Sequence, residues 1–188
     1  MSDTIAAIAT PIGEGGVTII RFSGTDSLSI ALKLFYTPSG KSIKKLYPNK
    51  AHFGSIYEPT TRKCVDEVVL TWFKNPKSYT GEDVVEISAH GGTFVSSRIL
   101  GLVLDHGARL AEPGEFTRRA FMNGRIDLSQ AEAVADLISA ASDKALQAAI
   151  MQLKGLLSQK ITRLYDRLLF VLGQVEAAID FPEEGLDF

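Results

Sequence analysis

The sequence predicts an α+β fold, with a mixed-sheet domain over residues 1–118 and long α-helices over 119–188. Three observations carry this. Short apolar runs alternate with turns up to about Ala111. Two stretches among them instead repeat apolar residues every three or four positions. From Ser129 onward only that helical period remains.

In chain order, "TIAAIA", "VTIIRF", "AHFGSIY", "DEVVLTWF", "DVVEISAH" and the short "ARLA" read as strands, because β-branched and aromatic residues recur in short runs bounded by Gly, Pro and Asp. Between them "DSLSIALKLF" (Asp26 to Phe35) and "GTFVSSRILGLVLDHG" (Gly92 to Gly107) read as helices, the second closing on a glycine. Ser129 and Glu132 have capping-box spacing. Val134, Ile138, Ala141, Ala145, Ala148 and Leu153 then begin an apolar stripe. Ser142 offers a fresh cap, which divides the region into a helix of about 130–141 and another from 143 to Asp180, stopped by Pro182 and Gly185. Unbroken, the second would span roughly 55 Å at 1.5 Å per residue. Its apolar positions, from Leu156 to Val175, need cover that no later segment of these 188 residues supplies, so the sequence reads as cut short, oligomeric or both.

The composition is globular, and no apolar run approaches the roughly 20 residues of a bilayer span. The N-terminus "MSDTIAAIATP" lacks the basic start and apolar core of a signal peptide, so a cytoplasmic protein is expected. Cys64 has no cysteine to pair with and no ligand set for zinc. It is expected to be a small buried or half-buried side chain. A formal charge of -2 gives no global reason to bind nucleic acid, which leaves local clusters such as Arg118, Arg119 and Arg125.

"SGKS", Ser39 to Ser42, imitates the end of a phosphate-binding loop, but Phe35 stands where the first glycine is required. "GEGG", Gly13 to Gly16, reads as a turn between strands or as backbone approached closely by a ligand. No Ser-His-Asp set, Cys-His set or metal-ligand spacing is present, so no catalytic or metal residue is assigned. Arg21 lies in "VTIIRF", which is apolar on both faces, as in a strand covered on both sides. A guanidinium there needs an anion. In "YTGEDVVEISAHGG", a period of two puts Val85, Ile87 and Ala89 on one face and Val84, Glu86, Ser88 and His90 on the other. The second face is a polar row in which Glu86 either meets a ligand or pairs with Arg21. His90 reads as a hydrogen-bonded structural histidine, and Glu82 and Asp83 as turn residues facing solvent.

The run "GARLAEPGEFTRRAFMNGRIDLSQAEAVADLI", with "DTIAAIATP", "GGVTIIRFSG", "YTGEDVVEI", "HGG" and "VEAAIDFPEE", closely resembles the tRNA modification GTPase family called MnmE or TrmE. The resemblance covers nearly the whole chain and is least distinctive from about Ile30 to Cys64. It implies an N-terminal domain similar to the tetrahydrofolate-binding domain of aminomethyltransferases, which binds a one-carbon folate (5-formyl- or 5,10-methylene-tetrahydrofolate) and forms a homodimer. It also implies a helical domain that an inserted G domain interrupts; the G domain and the C-terminal helices lie outside this sequence.

By the same resemblance, the folate contacts fall on Arg21, Glu86 and Arg125, the last standing where the family commonly has lysine. With the flavoprotein MnmG, the full-length protein would add an aminomethyl or carboxymethylaminomethyl group at carbon 5 of the wobble uridine of tRNA. GTP hydrolysis with potassium and magnesium would drive it. A pterin edge presents a ring N–H beside an amine, two donors that a carboxylate such as Glu86 can accept together. Folate carries the one-carbon chemistry, leaving the protein to place it. The competing expectation is a structural dimerisation module in which Arg21 and Glu86 only pair with each other.

Overall fold

The computed structural model describes residues 3–11 and 13–180. Pro182 and Gly185, expected to stop the last helix, lie outside the described residues. Two compact units divide between Arg125 and Ile126 rather than after 118. The difference is a helix, α3 (Glu115–Met122), whose short charged sequence gave no periodic signal and which belongs to the first unit.

The first unit is built on strands β1 (Ile5–Ile8), β2 (Val17–Ser23), β3 (Phe35–Tyr36), β4 (Ala51–Tyr57), β5 (Cys64–Phe73), β6 (Val84–His90) and β7 (Arg109–Leu110). They form one sheet in the order β3-β4-β5-β6-β2-β1-β7. All neighbours are antiparallel except β1 and β7, which makes the sheet mixed and the fold α+β. Strand β3 was not expected; it is two residues long, too short for any alternation to show.

Helices α1 (Ser27–Leu34) and α2 (Thr93–Asp105) contribute Ile30, Ala31, Leu34, Ile99, Leu102 and Val103 to the core. They meet Ala6, Ile20, Phe22, Leu70, Trp72, Val85 and Ile87 from the sheet. Burying each such side chain contributes roughly 1.5–3 kcal/mol, so this layer fixes the register of β2 against β6. The other face of the sheet is only partly covered. Ile19 and Arg21 are half-buried, so β2 is not sealed on both sides as its apolar sequence suggested. Cys64 is exposed at the start of β5, contrary to the buried or half-buried position expected for a lone cysteine.

The second unit comprises α4 (Leu128–Ser139), α5 (Asp143–Leu153) and α6 (Leu156–Asp180). Asp127, not Ser129, caps α4: its carboxylate accepts from Gln130 N–H while the Gln130 side chain accepts from Asp127 N–H. Both spacings satisfy the capping-box pattern, and the one that begins two residues earlier is adopted. Ser142 caps α5, accepting from Ala145 N–H at 3.2 Å. Helices α4 and α5 run antiparallel, because Gln130 at the start of α4 donates to Leu153 O and Gln152 donates to Ser129 O. The single helix expected from 143 to Asp180 is instead broken at Gly155, whose φ of 75° lies in the left-handed region. Apolar periodicity runs through that glycine undisturbed, which is why the sequence pattern concealed the break. Along α6, Ile161, Leu164, Leu168, Val171 and Val175 are exposed among the described residues.

Candidate functional site

The partly covered sheet face carries two cross-strand rows. One runs Ala7, Arg21, Glu86, Thr71 and Ala51 across β1, β2, β6, β5 and β4; the next runs Ile19, Ser88, Val69 and Phe53. Directly opposed antiparallel residues share a face, so this register places Arg21 beside Glu86. Arg21 Nε donates to Glu86 Oε1 at 2.7 Å.

Neither partner is sealed from solvent, with 30% of the Arg21 side chain and 24% of the Glu86 side chain exposed. Among the described residues, the two terminal guanidinium nitrogens of Arg21 and the second oxygen of Glu86 have no hydrogen-bond partner. The pair is therefore half used. It offers donors on one side and an acceptor on the other.

Two aromatic rings flank it. The Arg21 guanidinium carbon lies 5.8 Å from the ring centroid of Tyr79 and 5.8 Å from that of Phe116. Such cation–π contacts hold a guanidinium in place while leaving its N–H groups free. Tyr79 is anchored through its hydroxyl to Thr117 Oγ1 at 2.8 Å. Asn123 donates to Thr80 O at 2.7 Å and Arg125 Nε donates to Ser78 O at 3.2 Å. Helix α3 and the residues after it thus hold each residue of the 78–80 loop by a hydrogen bond.

The structure brings Arg21 and Glu86 into contact, and places Arg125 on the same loop that supplies Tyr79. The rings of Tyr79 and Phe116, and the anchors Thr117 and Asn123, were missed by sequence reasoning. Tyr79 opens the acidic stretch that was singled out, and its place there was the one available signal.

The expectation for Glu82 and Asp83 is corrected, whereas His90 is hydrogen-bonded as expected. Glu82 accepts from Ser23 Oγ at 2.7 Å and from Arg119 Nη1 at 3.2 Å, while Asp83 accepts from Trp72 Nε1 at 3.2 Å and Asn75 N–H at 3.0 Å. These carboxylates fasten loops; neither is a free, solvent-facing turn residue. His90 is held by Asp66, with 2.7 Å from Nδ1 to Oδ1 and 2.7 Å from its N–H to Oδ2. The glycine-rich loop is closely approached, but by the chain itself: a Cβ on Gly91 would stand 2.1 Å from Gly15 O. Glycine is required there by contact.

Arg118 and Arg119 face carboxylates. Arg118 donates to Glu112 at 3.0 Å, and Arg119 reaches Asp3, Glu82 and Glu115. Glu115 is buried yet ionised, since Arg109 donates to both its oxygens. That pairing, against the cost of burial, draws its carboxyl down to about 2.

A mixed-sheet domain with a half-satisfied Arg–Glu pair on its open face, continuing into an antiparallel helix pair and a further long helix, defines a two-domain α+β class with a helical second domain. Residues 4–125 match the family described as "GTP-binding protein TrmE N-terminus", and residues 128–188 match "MnmE helical domain". The chain belongs to the MnmE (TrmE) family. Similar curated relatives, each named "tRNA modification GTPase MnmE", occur in Lysinibacillus sphaericus (53% identical over 181 residues), Geobacillus thermodenitrificans (52%) and Streptococcus pneumoniae strain Hungary19A-6 (52%). Each alignment covers 96% of this chain but 39% of the relative's length. Among the described residues, no helix is long and apolar enough to cross a membrane.

Proposed function

We propose that this chain forms the one-carbon-folate-binding and dimerising part of a tRNA modification GTPase. In the cytoplasm, with MnmG, that protein would add an aminomethyl or carboxymethylaminomethyl group at carbon 5 of the wobble uridine. The observation that carries the folate reading is the half-used Arg21–Glu86 pair between the rings of Tyr79 and Phe116. Glu86 retains an oxygen for the paired donors of a pterin edge, and the rings give a flat heterocycle apolar surface to lie against. Arg21 and Arg125 supply positive charge for a ring carbonyl or the glutamyl carboxylates. No residue here is assigned an acid or base role, because the folate carries the reactive carbon.

GTP hydrolysis with potassium and magnesium belongs, in this reading, to the full-length protein. Titration of the 188-residue chain with 5-formyltetrahydrofolate tests the folate assignment: saturable binding is expected, and its absence would refute it. The 2.7 Å contact favours a second reading, in which the pair serves only to hold β2 and β6 together in a dimerisation module. That module would melt with the same midpoint whether or not folate is added.

A further inference from the structure

Between Asp26 and Glu58 the sequence contains no carboxylate side chain, yet after Lys33 of α1 it carries four more lysines, Lys41, Lys44, Lys45 and Lys50. Lys41, Lys44, Lys45 and Lys50 are exposed, and none of them forms an ion pair among the described residues. This is the opposite of Arg118 and Arg119, whose charges are met by carboxylates. In a chain of net charge -2, the segment before β4 is thus a local, uncompensated positive surface.

An aromatic platform sits within it. Tyr47 is 53% exposed, and its ring lies nearly parallel to the imidazole of His52, with 6.4 Å between centroids and 13° between planes. The Nζ atoms of Lys45 and Lys50 stand 5.2 and 5.5 Å from the Tyr47 ring centroid. The platform is fixed from below. Leu46 is buried, Tyr47 N–H donates to His52 Nε2 at 3.1 Å, and Asn49 N–H donates to Trp72 O at 2.8 Å.

We propose that the Lys44–His52 segment is a docking surface for single-stranded RNA. An unpaired base stacks on Tyr47, and Lys45 and Lys50 swing from the ring to the flanking phosphates. An aromatic face with mobile ammonium groups beside it is the combination that single-stranded nucleic acid uses without strict sequence preference. An acidic peptide would use the lysines but not the exposed ring. The choice of RNA rests on reading the chain as part of a tRNA-modifying protein, whereas the surface is separate from the Arg21–Glu86 site.

The test is fluorescence anisotropy of the 188-residue chain with a labelled, unmodified tRNA anticodon stem–loop at several salt concentrations. Affinity should fall as salt rises, and Lys45→Gln/Lys50→Gln should flatten the log–log slope by roughly 1.4, about 0.7 for each lost phosphate contact. Tyr47→Ala should weaken binding roughly five- to 100-fold, and Tyr47→Phe should retain it. No saturable binding by the wild type, an unchanged slope in the lysine variant, or wild-type affinity in Tyr47→Ala would each overturn the proposal. Melting curves and 5-formyltetrahydrofolate titrations on the same variants should match the wild type. Failure of the folate reading would thereby register separately, as a wild-type chain that binds the stem–loop but no folate.

Discussion

Arg109 donates two hydrogen bonds to a single buried carboxylate, Nη1 to Glu115 Oε2 at 2.9 Å and Nη2 to Glu115 Oε1 at 2.5 Å. Arg109 Nε also meets Asp3, and Glu115 further accepts from Glu112 N–H and Arg119. This network joins β7, the N-terminal residues and α3, and α3 carries Phe116 to the candidate site.

Glu115 is buried and accepts from Arg109, Arg119 and Glu112 N–H, so Glu115→Gln should destabilise the protein, by less than a fully buried pair would because the Arg109 side chain is 43% exposed and keeps Asp3. The wild type should show a matching acid dependence. A carboxyl whose folded value is lowered from 4.5 to about 2 contributes stability that is present above 4.5 and is lost as pH falls toward 2. Denaturant melts across that range should therefore converge for wild type and variant at the acid end. Parallel curves would show that Glu115 is not the group responsible.

Glu86→Ala is expected to weaken 5-formyltetrahydrofolate binding roughly ten- to hundredfold, since hydrogen bonds to a charged group are worth about 1.5–3 kcal/mol. Because both side chains of the Arg21–Glu86 pair are partly exposed, its loss should cost far less stability than loss of Glu115. Calorimetric titration and melting on one sample separate the readings. Intact affinity in a folded variant would leave only the structural role.

Gly155→Ala should destabilise the helical unit by about 1 kcal/mol, because a φ of 75° penalises a Cβ although its nearest neighbour, Gln130 Nε2, is at an ordinary 3.5 Å. An increase in helicity and melting temperature would instead mean that α5 and α6 can join into one rod.

The chain should bind no GTP, because the only phosphate-loop likeness, Gly40 to Ser42, lacks the leading glycine. Equilibrium dialysis with labelled GTP, potassium and magnesium checks this, and saturable micromolar binding would contradict it.

Light scattering should give a dimer mass at tens of micromolar, roughly the concentration at which weak pairs assemble. A constant monomer mass on dilution and concentration alike would count against the dimerisation reading.

Short apolar runs made most strands legible, and a period of two was enough to put Glu86 on the polar face, while its place opposite Arg21 came from the register of β2 against β6. What escaped were features defined by partners distant in the chain. Arg118 and Arg119 look like a local basic cluster, and nothing local reveals that Arg119 will meet Asp3, 116 positions earlier. Glu82 and Asp83 look like turn residues for the same reason, because the groups that claim them come from β2, β5, α3 and the turn after β5. The break at Gly155 was hidden by an apolar stripe that continues across it. Conversely, Arg125 could be assigned to the folate site only by resemblance, since the hydrogen bond its side chain makes among the described residues is to a backbone carbonyl, Ser78 O, which no sequence pattern encodes.

The parallel pairing of β1 with β7 has a consequence for synthesis on the ribosome. Strand β2 follows β1 directly in the chain, but the partner for β1's other edge, Arg109 and Leu110, is made about a hundred residues later. Phe116, Asn123 and Arg125 are later still, so a nascent chain carries Arg21 and Glu86 before it owns Phe116, which flanks Arg21, or the residues that hold the 78–80 loop. Ligand capture should therefore begin only when translation has passed Arg125 and that residue has cleared the exit tunnel. A series of stalled chains of increasing length, probed with labelled folate, would show a step there and no gradual rise.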